Sequence, residues 1–574
     1  MNHRFLGIVG LTAAMALTGS CSVNKSTGPV PETKPLADSK ASVEVAEAPV
    51  WAPKKHGFNP SKTRVHDLLH TKLRVSFDWE KQYLHGIAEL TLKPYFYPQN
   101  KLVLDAKGFD IHGVSMMNGH NASQLKYAYD GMKLTIDLGK AYTRNDKFVI
   151  EIDYTAKPNE LALGGSDAIT QDKGLYFINP TGEDPDKPRQ IWTQGETEAN
   201  SAWFPTIDSP NERMTQELYI TVDQRYTTLS NGTFVYSRKN ADGTKTDYWK
   251  MELPHAPYLT MMAIGEFAVV KDKWRNLEVN YYVEPAYEKT AKKIFGNTPE
   301  MMEFFSKKLR VDYPWSKYSQ VVVRDFVSGA MENTTASTFM EDVQLNEREL
   351  LDKHWDGIIA HELFHQWFGD YVTTESWANL PLNEAFANYS EYLWAEHKFG
   401  ADEAAYLHLD ELEQYLDEAE TKREPLIRYR YADREDMFDS HSYAKGGRVL
   451  HMLRKYVGDD AFFTALNRYL TQHKFSDVEV AELRIAFEDV TGEDLMWFFD
   501  QWFLSPGHPE LKISHTYQSG GLNLQVWQQQ DTLYSPIYRL PLKVATWENG
   551  KKTEHSIEIT KAKQSFLLPV TSQP

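Results

Sequence analysis

Between Ile359 and Asp370 the chain reads Ile-Ala-His-Glu-Leu-Phe-His-Gln-Trp-Phe-Gly-Asp, and no other stretch restricts the fold as strongly. His361 and His365 are four apart. On a helix they lie one turn apart on one face, so both reach a single metal ion. Glu362 projects from nearly the same face, within range of a water at that metal. Ala360, Leu363, Phe364 and Trp367 form an apolar stripe on the other face, which asks for burial against a core. The pattern predicts a buried helix that presents two imidazoles and a carboxylate into a cleft.

Such a helix needs a large body around it. The 574 residues suffice for three or four domains with ample core, and 41% hydrophobic and 25% charged residues are ordinary for a globular chain. The formal net charge of −18 argues against a nucleic-acid partner, which would need clustered Lys and Arg. Cys21 is the single cysteine. Disulfides within the chain and Cys-based zinc sites are therefore excluded, and any metal must use His and carboxylates.

Taken in order, a short charged start is followed by a small, apolar run from Leu6 to Leu17, too short for an ordinary spanning helix. It ends in Leu17-Thr18-Gly19-Ser20-Cys21, which resembles a bacterial lipobox. The resemblance implies a signal peptide over 1–21, a lipid anchor on Cys21 and an exported lipoprotein. Ser22 after the cysteine points to the outer membrane, facing the periplasm or the cell surface. Residues 22–60 are rich in Pro, Ser, Ala, Lys and Glu and read as a flexible tether with a reach on the order of 30 Å.

Residues 61–270 alternate in short β runs, such as Leu73–Phe77, Ala88–Leu92, Lys133–Asp137 and Phe148–Ile152, punctuated by Asn118-Gly119 and Asn231-Gly232. They predict an N-terminal β-sandwich-like domain. Residues 271–505 change to a helical period: 291–309, 352–369, 382–398, 402–415, 442–457, 460–471, 478–490 and 495–503. Residues 506–574 return to alternation and form a small C-terminal β domain. The fold class is multidomain α+β with a central, mostly helical metal domain.

Two His ligands do not make a catalytic zinc site; a third protein ligand is needed. Glu375, Glu384 and Glu391 follow the motif. Glu375 falls in the connection. Glu384 opens the next helix, and an antiparallel helix places its first turn opposite the end of the first. Glu391, two turns further, would lie roughly 10 Å along the axis. Glu384 is therefore the expected ligand, giving a His₂Glu site for one Zn²⁺. Glu362 would act as general base, while the donor for the oxyanion stays open among many tyrosines and histidines.

Gly329-Ala330-Met331-Glu332-Asn333, about thirty residues before the histidines, together with the His-Glu-x-x-His helix and Asn383-Glu384, resembles the M1 family of zinc aminopeptidases, the gluzincins that include leukotriene A4 hydrolase. The resemblance runs from about Val65 to the end. It implies a thermolysin-like central domain and hydrolysis of the N-terminal peptide bond of peptides with a free amino end. By it, Glu332 binds the substrate's α-amino group, with Gly329 to Asn333 along the substrate backbone. Glu196 is the second carboxylate on the amine, and Gln194 lines the first side-chain pocket. Tyr443 stabilises the oxyanion, and Glu341 matches a position near the metal that supports without binding.

The chain departs from the family pattern in several places. Thr334-Thr335, Asp370 and Pro381-Leu382 stand where Trp-Gly, Asn and Trp-Leu are usual. The family's helical C-terminal domain is missing from the expected map, because the sequence reaches Pro574 within the β pattern. The cavity is then open on one side, walled by a partner, or cut from a longer chain. Other readings are a leukotriene A4 hydrolase-like epoxide hydrolase, a non-catalytic peptide-binding relative, and an endopeptidase. The pair Glu196 and Glu332 discriminates against the last.

Overall fold

The computed structural model describes residues 50, 56–162, 164–166, 168–518 and 520–573. The signal-peptide and Cys21 readings, and most of the tether, lie outside these residues.

The β pattern after residue 61 folds into layered sheets. An eight-stranded sheet has His66–Asp78 near its centre, antiparallel to Tyr83–Pro94 and parallel to Met214–Asp223. Side chains of Tyr83–Pro94 alternate in and out along its length, as a sheet with one covered face requires. A three-stranded sheet (Gln99–Asp105, Lys133–Tyr142, Tyr127–Tyr129) and a four-stranded sheet (Thr227–Ser230, Met262–Gly265, Gln190–Thr193, Leu175–Ile178) share its core. Leu90, Leu102, Leu134, Ile150 and Trp192 meet there. Asn118-Gly119 turns a hairpin in which Asn118 pairs with Asn121. Asn231-Gly232 instead carries the chain from the four-stranded to the eight-stranded sheet. A Cβ on Gly232 would sit 2.0 Å from the Lys250 carbonyl oxygen, so only glycine fits.

The region after residue 271 is not helical from its start, a correction to the sequence reading. Ala268–Trp274, Leu277–Val283, Tyr318–Val323, Ala336–Met340 and Ala330–Met331 form a five-stranded mixed sheet in that order. All six residues of Tyr318–Val323 are buried, so the strand shows no alternation to read. The helices are α1 (Ala291–Phe295), α2 (Thr298–Leu309), α3 (Asp356–His365), α4 (Pro381–Lys398), α5 (Ala401–Ala419), α6 (Gly446–Val457), α7 (Asp459–Gln472), α8 (Val480–Thr491) and α9 (Met496–Trp502). The single helix expected over 291–309 is broken at Gly296-Asn297 into α1 and α2.

At the C-terminal side, Leu511–Gln518, Gly521–Gln528 and Lys563–Leu568 form a three-stranded sheet, and Leu540–Glu548 pairs with Lys551–Ile559. Leu524, Tyr538 and Ile559 belong to the same core as the helices, with Trp502 and Tyr538 rings 4.9 Å apart. No helix among the described residues is long and apolar enough to cross a membrane.

Candidate active site

Helix α3 is positioned by its apolar side. Ile359, Ala360, Leu363 and Phe364 are buried, and the Phe364 ring meets Phe305 of α2 at 4.8 Å. The opposite side carries His361, Glu362 and His365 onto the wall of a cavity of about 530 Å³. Helix α4 packs against α3, with Phe368 and Phe386 stacked at 4.2 Å. Its first turn delivers Glu384, whose Oε2 lies 3.3 Å from His361 Nε2 and 3.4 Å from His365 Nε2.

The three ligand atoms of His361, His365 and Glu384 all lie within 4.8 Å of one another. The other imidazole nitrogens are already engaged. His361 Nδ1 is 3.0 Å from Glu391 Oε1, and His365 Nδ1 is 3.0 Å from the Phe368 carbonyl oxygen. Each ring is thereby oriented with Nε2 toward the shared centre, the arrangement that imidazole ligands of a metal require. Glu362 Oε2 is buried without a hydrogen-bond partner beside this centre. The donor set fits a divalent zinc ion.

Sequence reasoning considered Glu391 only as a ligand and set it aside by distance along the axis. Because α3 and α4 run in opposite directions, Glu391 comes alongside His361, one turn before His365, and orients it. Its spacing of seven from Glu384 was the available signal. Glu375 lies in a different groove, beside Arg64 and Asp477. Glu341 accepts from the Asp325 backbone N–H at 3.2 Å and is not on the cavity wall.

The second half of the site comes from loops. Among the described residues Ala330–Met331 is the outermost strand of the five-stranded sheet, paired only with Ala336–Met340, and Gly329, Ala330 and Glu332 line the cavity. Gln366, just past α3, fixes this segment to the helix. Its Nε2 donates to the Glu332 carbonyl at 2.8 Å, and its Oε1 accepts from Thr335 N–H at 2.9 Å and Tyr313 O–H at 3.2 Å. Sequence reasoning missed Gln366, which adjoins the motif but shows no pattern of its own. Met331 and Asn333 are buried and do not line the cavity. Asn333 Nδ2 donates to Thr338 Oγ1 at 3.2 Å, holding the turn.

Glu196 reaches the same cavity from the loop after Gln190–Thr193. The turn is tight: a Cβ on Gly195 would sit 2.1 Å from the Tyr258 carbonyl oxygen. Asn200 Nδ2 braces that neighbour, donating to the carbonyls of Pro257, Tyr258 and Thr260 at 2.8 to 3.0 Å. Gln194 is buried behind the wall, its Nε2 3.1 Å from Met331 Sδ. One carboxylate oxygen each from Glu196, Glu332 and Glu384 falls within 4.8 Å of the others.

So many buried acids repel one another. Burial pushes Glu362 up to about 8, against the pull of His361 and His365. Burial also raises Glu332, opposed by His365, and lifts Glu196 well above the usual carboxylate range, with Glu332 and Glu384 adding to the push. A site with this excess of negative charge is relieved by cations: a metal at one end and an ammonium group at the other.

Tyr443 closes the wall. It sits in a π-helical turn, His441–Lys445, pinned at both ends. His441 Nδ1 lies 2.5 Å from Glu418 Oε2 of α5, and Lys445 Nζ donates to the Gly507 carbonyl at 2.9 Å. Gly446 then lets the chain approach α4, since a Cβ there would be 2.5 Å from Ala385 Cβ. The Tyr443 ring lies parallel to His361 at 6.0 Å. Burial, with Glu384, Glu196 and Glu332 nearby, raises its phenol well above the usual range, so it remains a donor.

Comparison with known proteins identifies the family. Family models match twice: the Peptidase M1 N-terminal domain over residues 67–259 and the Peptidase family M1 domain over 294–502. Probable aminopeptidase 1 of Sulfurisphaera tokodaii is 26% identical over 514 residues, 87% of this chain and 61% of that protein. Leucyl aminopeptidase of Saccharolobus solfataricus is 25% identical over 80% of this chain and 56% of its own length. The chain thus spans about 60% of the curated relatives it matches. Among solved structures, Legionella pneumophila aminopeptidase A in complex with aspartic acid shares the fold with a TM-score of 0.74 at 20% identity, covering 91% of this chain and 59% of that one. The two family matches together span more than half of the sequence, and the chain belongs to peptidase family M1.

Proposed function

We propose that this chain is a zinc-dependent aminopeptidase that removes the N-terminal residue of peptides. The observation that carries the reading is the adjacency of two sites in one cavity: the His361–His365–Glu384 ligand set, and the Glu196–Glu332 pair whose oxygens approach Glu384. A carboxylate pair so close to a metal holds an α-ammonium one residue from the bond to be cut, which restricts cleavage to the chain end.

His361, His365 and Glu384 would hold the zinc, which when bound supplies Lewis-acid chemistry: it lowers the pKa of water and polarises a carbonyl. Glu362 takes the proton of the attacking water and delivers it to the leaving amine. Tyr443 donates its phenolic hydrogen to the oxyanion that develops on the substrate. Ala330 offers an open strand edge to the substrate backbone.

A panel of aminoacyl chromogenic substrates, assayed with and without chelator, tests this directly. Activity on free-amine substrates that chelator abolishes supports the proposal. Unimpaired hydrolysis of an N-acetylated peptide would sink it in favour of an endopeptidase. We also propose, from the lipobox-like sequence, that Cys21 anchors the protein to a membrane outside the cytoplasm. Failure of the protein to incorporate labelled fatty acid, or incorporation that persists in Cys21→Ala, would remove that anchor.

A further inference from the structure

Residues Tyr95, Phe96 and Tyr97 form the turn between strands Tyr83–Pro94 and Gln99–Asp105, and they are 48%, 57% and 72% exposed. Single exposed aromatics are ordinary, whereas three in succession at a strand turn make a continuous apolar tip. The tip has a charged neighbour. Gln99 pairs with Tyr142, which brings the connection after Lys133–Tyr142 to the same edge. There the Arg144 guanidinium lies 4.8 Å over the Phe96 ring, and Lys140 Nζ lies 4.9 Å from the Tyr142 ring centroid. Lys147 follows in the same exposed connection.

These cations stand out on a chain of net charge −18. Among the described residues, Lys140, Arg144 and Lys147 form no ion pair, unlike Arg64, which stacks on Tyr95 but faces Asp67, Glu212 and Asp477 at 3.6 to 3.8 Å. The acid within the connection, Asp146, is occupied by the Thr143 backbone N–H and hydroxyl at 2.8 and 2.7 Å. Amphipathic rings settle at the headgroup level of a bilayer, and free cations beside them gain from anionic lipid.

We propose that this turn and the adjoining cations are a membrane-contact rim that seats on an anionic lipid surface. The charge pattern favours lipid over a protein partner: the unpaired cations Lys140, Arg144 and Lys147 flank the apolar tip on one side, whereas the groove on its other side, with Arg64, Glu375 and Asp477, is balanced in charge. Val65, 44% exposed, extends the apolar tip, its carbonyl accepting from the Tyr95 backbone N–H at 2.9 Å. The inference is independent of the proposed peptidase activity.

The test uses the full-length chain with Cys21→Ala, so that an introduced cysteine is the sole thiol. An environment-sensitive fluorophore is placed at Tyr97→Cys, with a reference at Leu351→Cys, which is 81% exposed and outside the rim. Both proteins are mixed with phosphatidylglycerol–phosphatidylcholine vesicles carrying bromine at defined acyl depths. The probe at position 97 is expected to shift to the blue and to be quenched about 5–10 Å below the headgroups, while the reference stays aqueous. Adding Arg144→Glu and Lys147→Glu is expected to lower the seated fraction about five-fold per site. A probe at position 97 as water-exposed as the reference, the result a protein-binding surface would give, overturns the proposal. So does seating that survives the charge reversals unchanged.

Discussion

The two halves of the cavity are built on different principles. The metal half rests on α3 and α4, where helical spacing fixes His361 and His365 and the aromatic packing of the two helices brings Glu384 to them. The amine half is assembled from loops: Glu196 after one strand and Glu332 after another, each braced by side chains gripping backbone, Asn200 on one side and Gln366 on the other. Regular structure sets the first, because positions along a helix are not independent. The second depends on a few buried hydrogen bonds, so it is the half that substitution can retune without disturbing the His361–His365–Glu384 set.

Changes within the metal half separate chemistry from binding. Glu362→Gln is expected to keep zinc, measured by metal analysis, and to lose about 10²- to 10⁴-fold in turnover. Tyr443→Phe should cost about 10- to 10³-fold in kcat with KM little changed, as expected for a donor that acts only in the transition state. Glu391→Gln should weaken zinc affinity by about 10- to 100-fold in a chelator competition, while leaving the preference for free-amine over N-acetylated substrates intact. Glu196→Gln should do the reverse, reducing that preference by about 10-fold or more with zinc affinity unchanged. If Glu391→Gln altered amine selectivity, or Glu196→Gln released the metal, the halves would not be separable.

The smallest expected effect concerns the support beneath the amine half. His255 is fully buried, with Nδ1 3.2 Å from Thr334 Oγ1 and Nε2 3.1 Å from Gln216 Oε1. Burial lowers its pKa to about 3, with Arg213 adding to the effect. In the unfolded chain it titrates near 6.5. Below that pH the unfolded state takes up a proton that the folded state refuses. The stability linked to the neutral ring is whole above 6.5 and declines as pH falls toward 3, by about 1.4 kcal/mol per unit. Urea unfolding at pH 7 and pH 5 should show this decline, and His255→Asn should reduce it by this ring's share, leaving that of His66, His408, His451 and His508, which burial also lowers.

The same division explains what could be read from residues alone. His361, Glu362, His365 and Glu384 were legible because a helix converts spacing into direction, and an antiparallel partner converts helix order into proximity. Glu391 was weighed only as a ligand, so its place beside His361 Nδ1, which follows from the same antiparallel order, went unread. Gln366 and Asn200 left no trace, because a side chain that grips backbone depends on loop paths that no periodicity encodes. Tyr318–Val323 was hidden for the opposite reason: buried on both faces, it loses the alternation by which strands are recognised. Glu196 and Glu332 were reached only through the family resemblance, not through any local pattern.

The short strand Ala330–Met331 has a consequence for which chain ends can be used. It presents an open sheet edge toward the cavity, and such an edge pairs only with extended backbone. A polypeptide whose first residues are coiled into a helix already has those amide groups engaged with one another. Under the proposed activity, the molecule therefore screens for disorder before it screens for side chains. Frayed ends and short fragments qualify, while a well-folded amino terminus is passed over however well its first residue would fit.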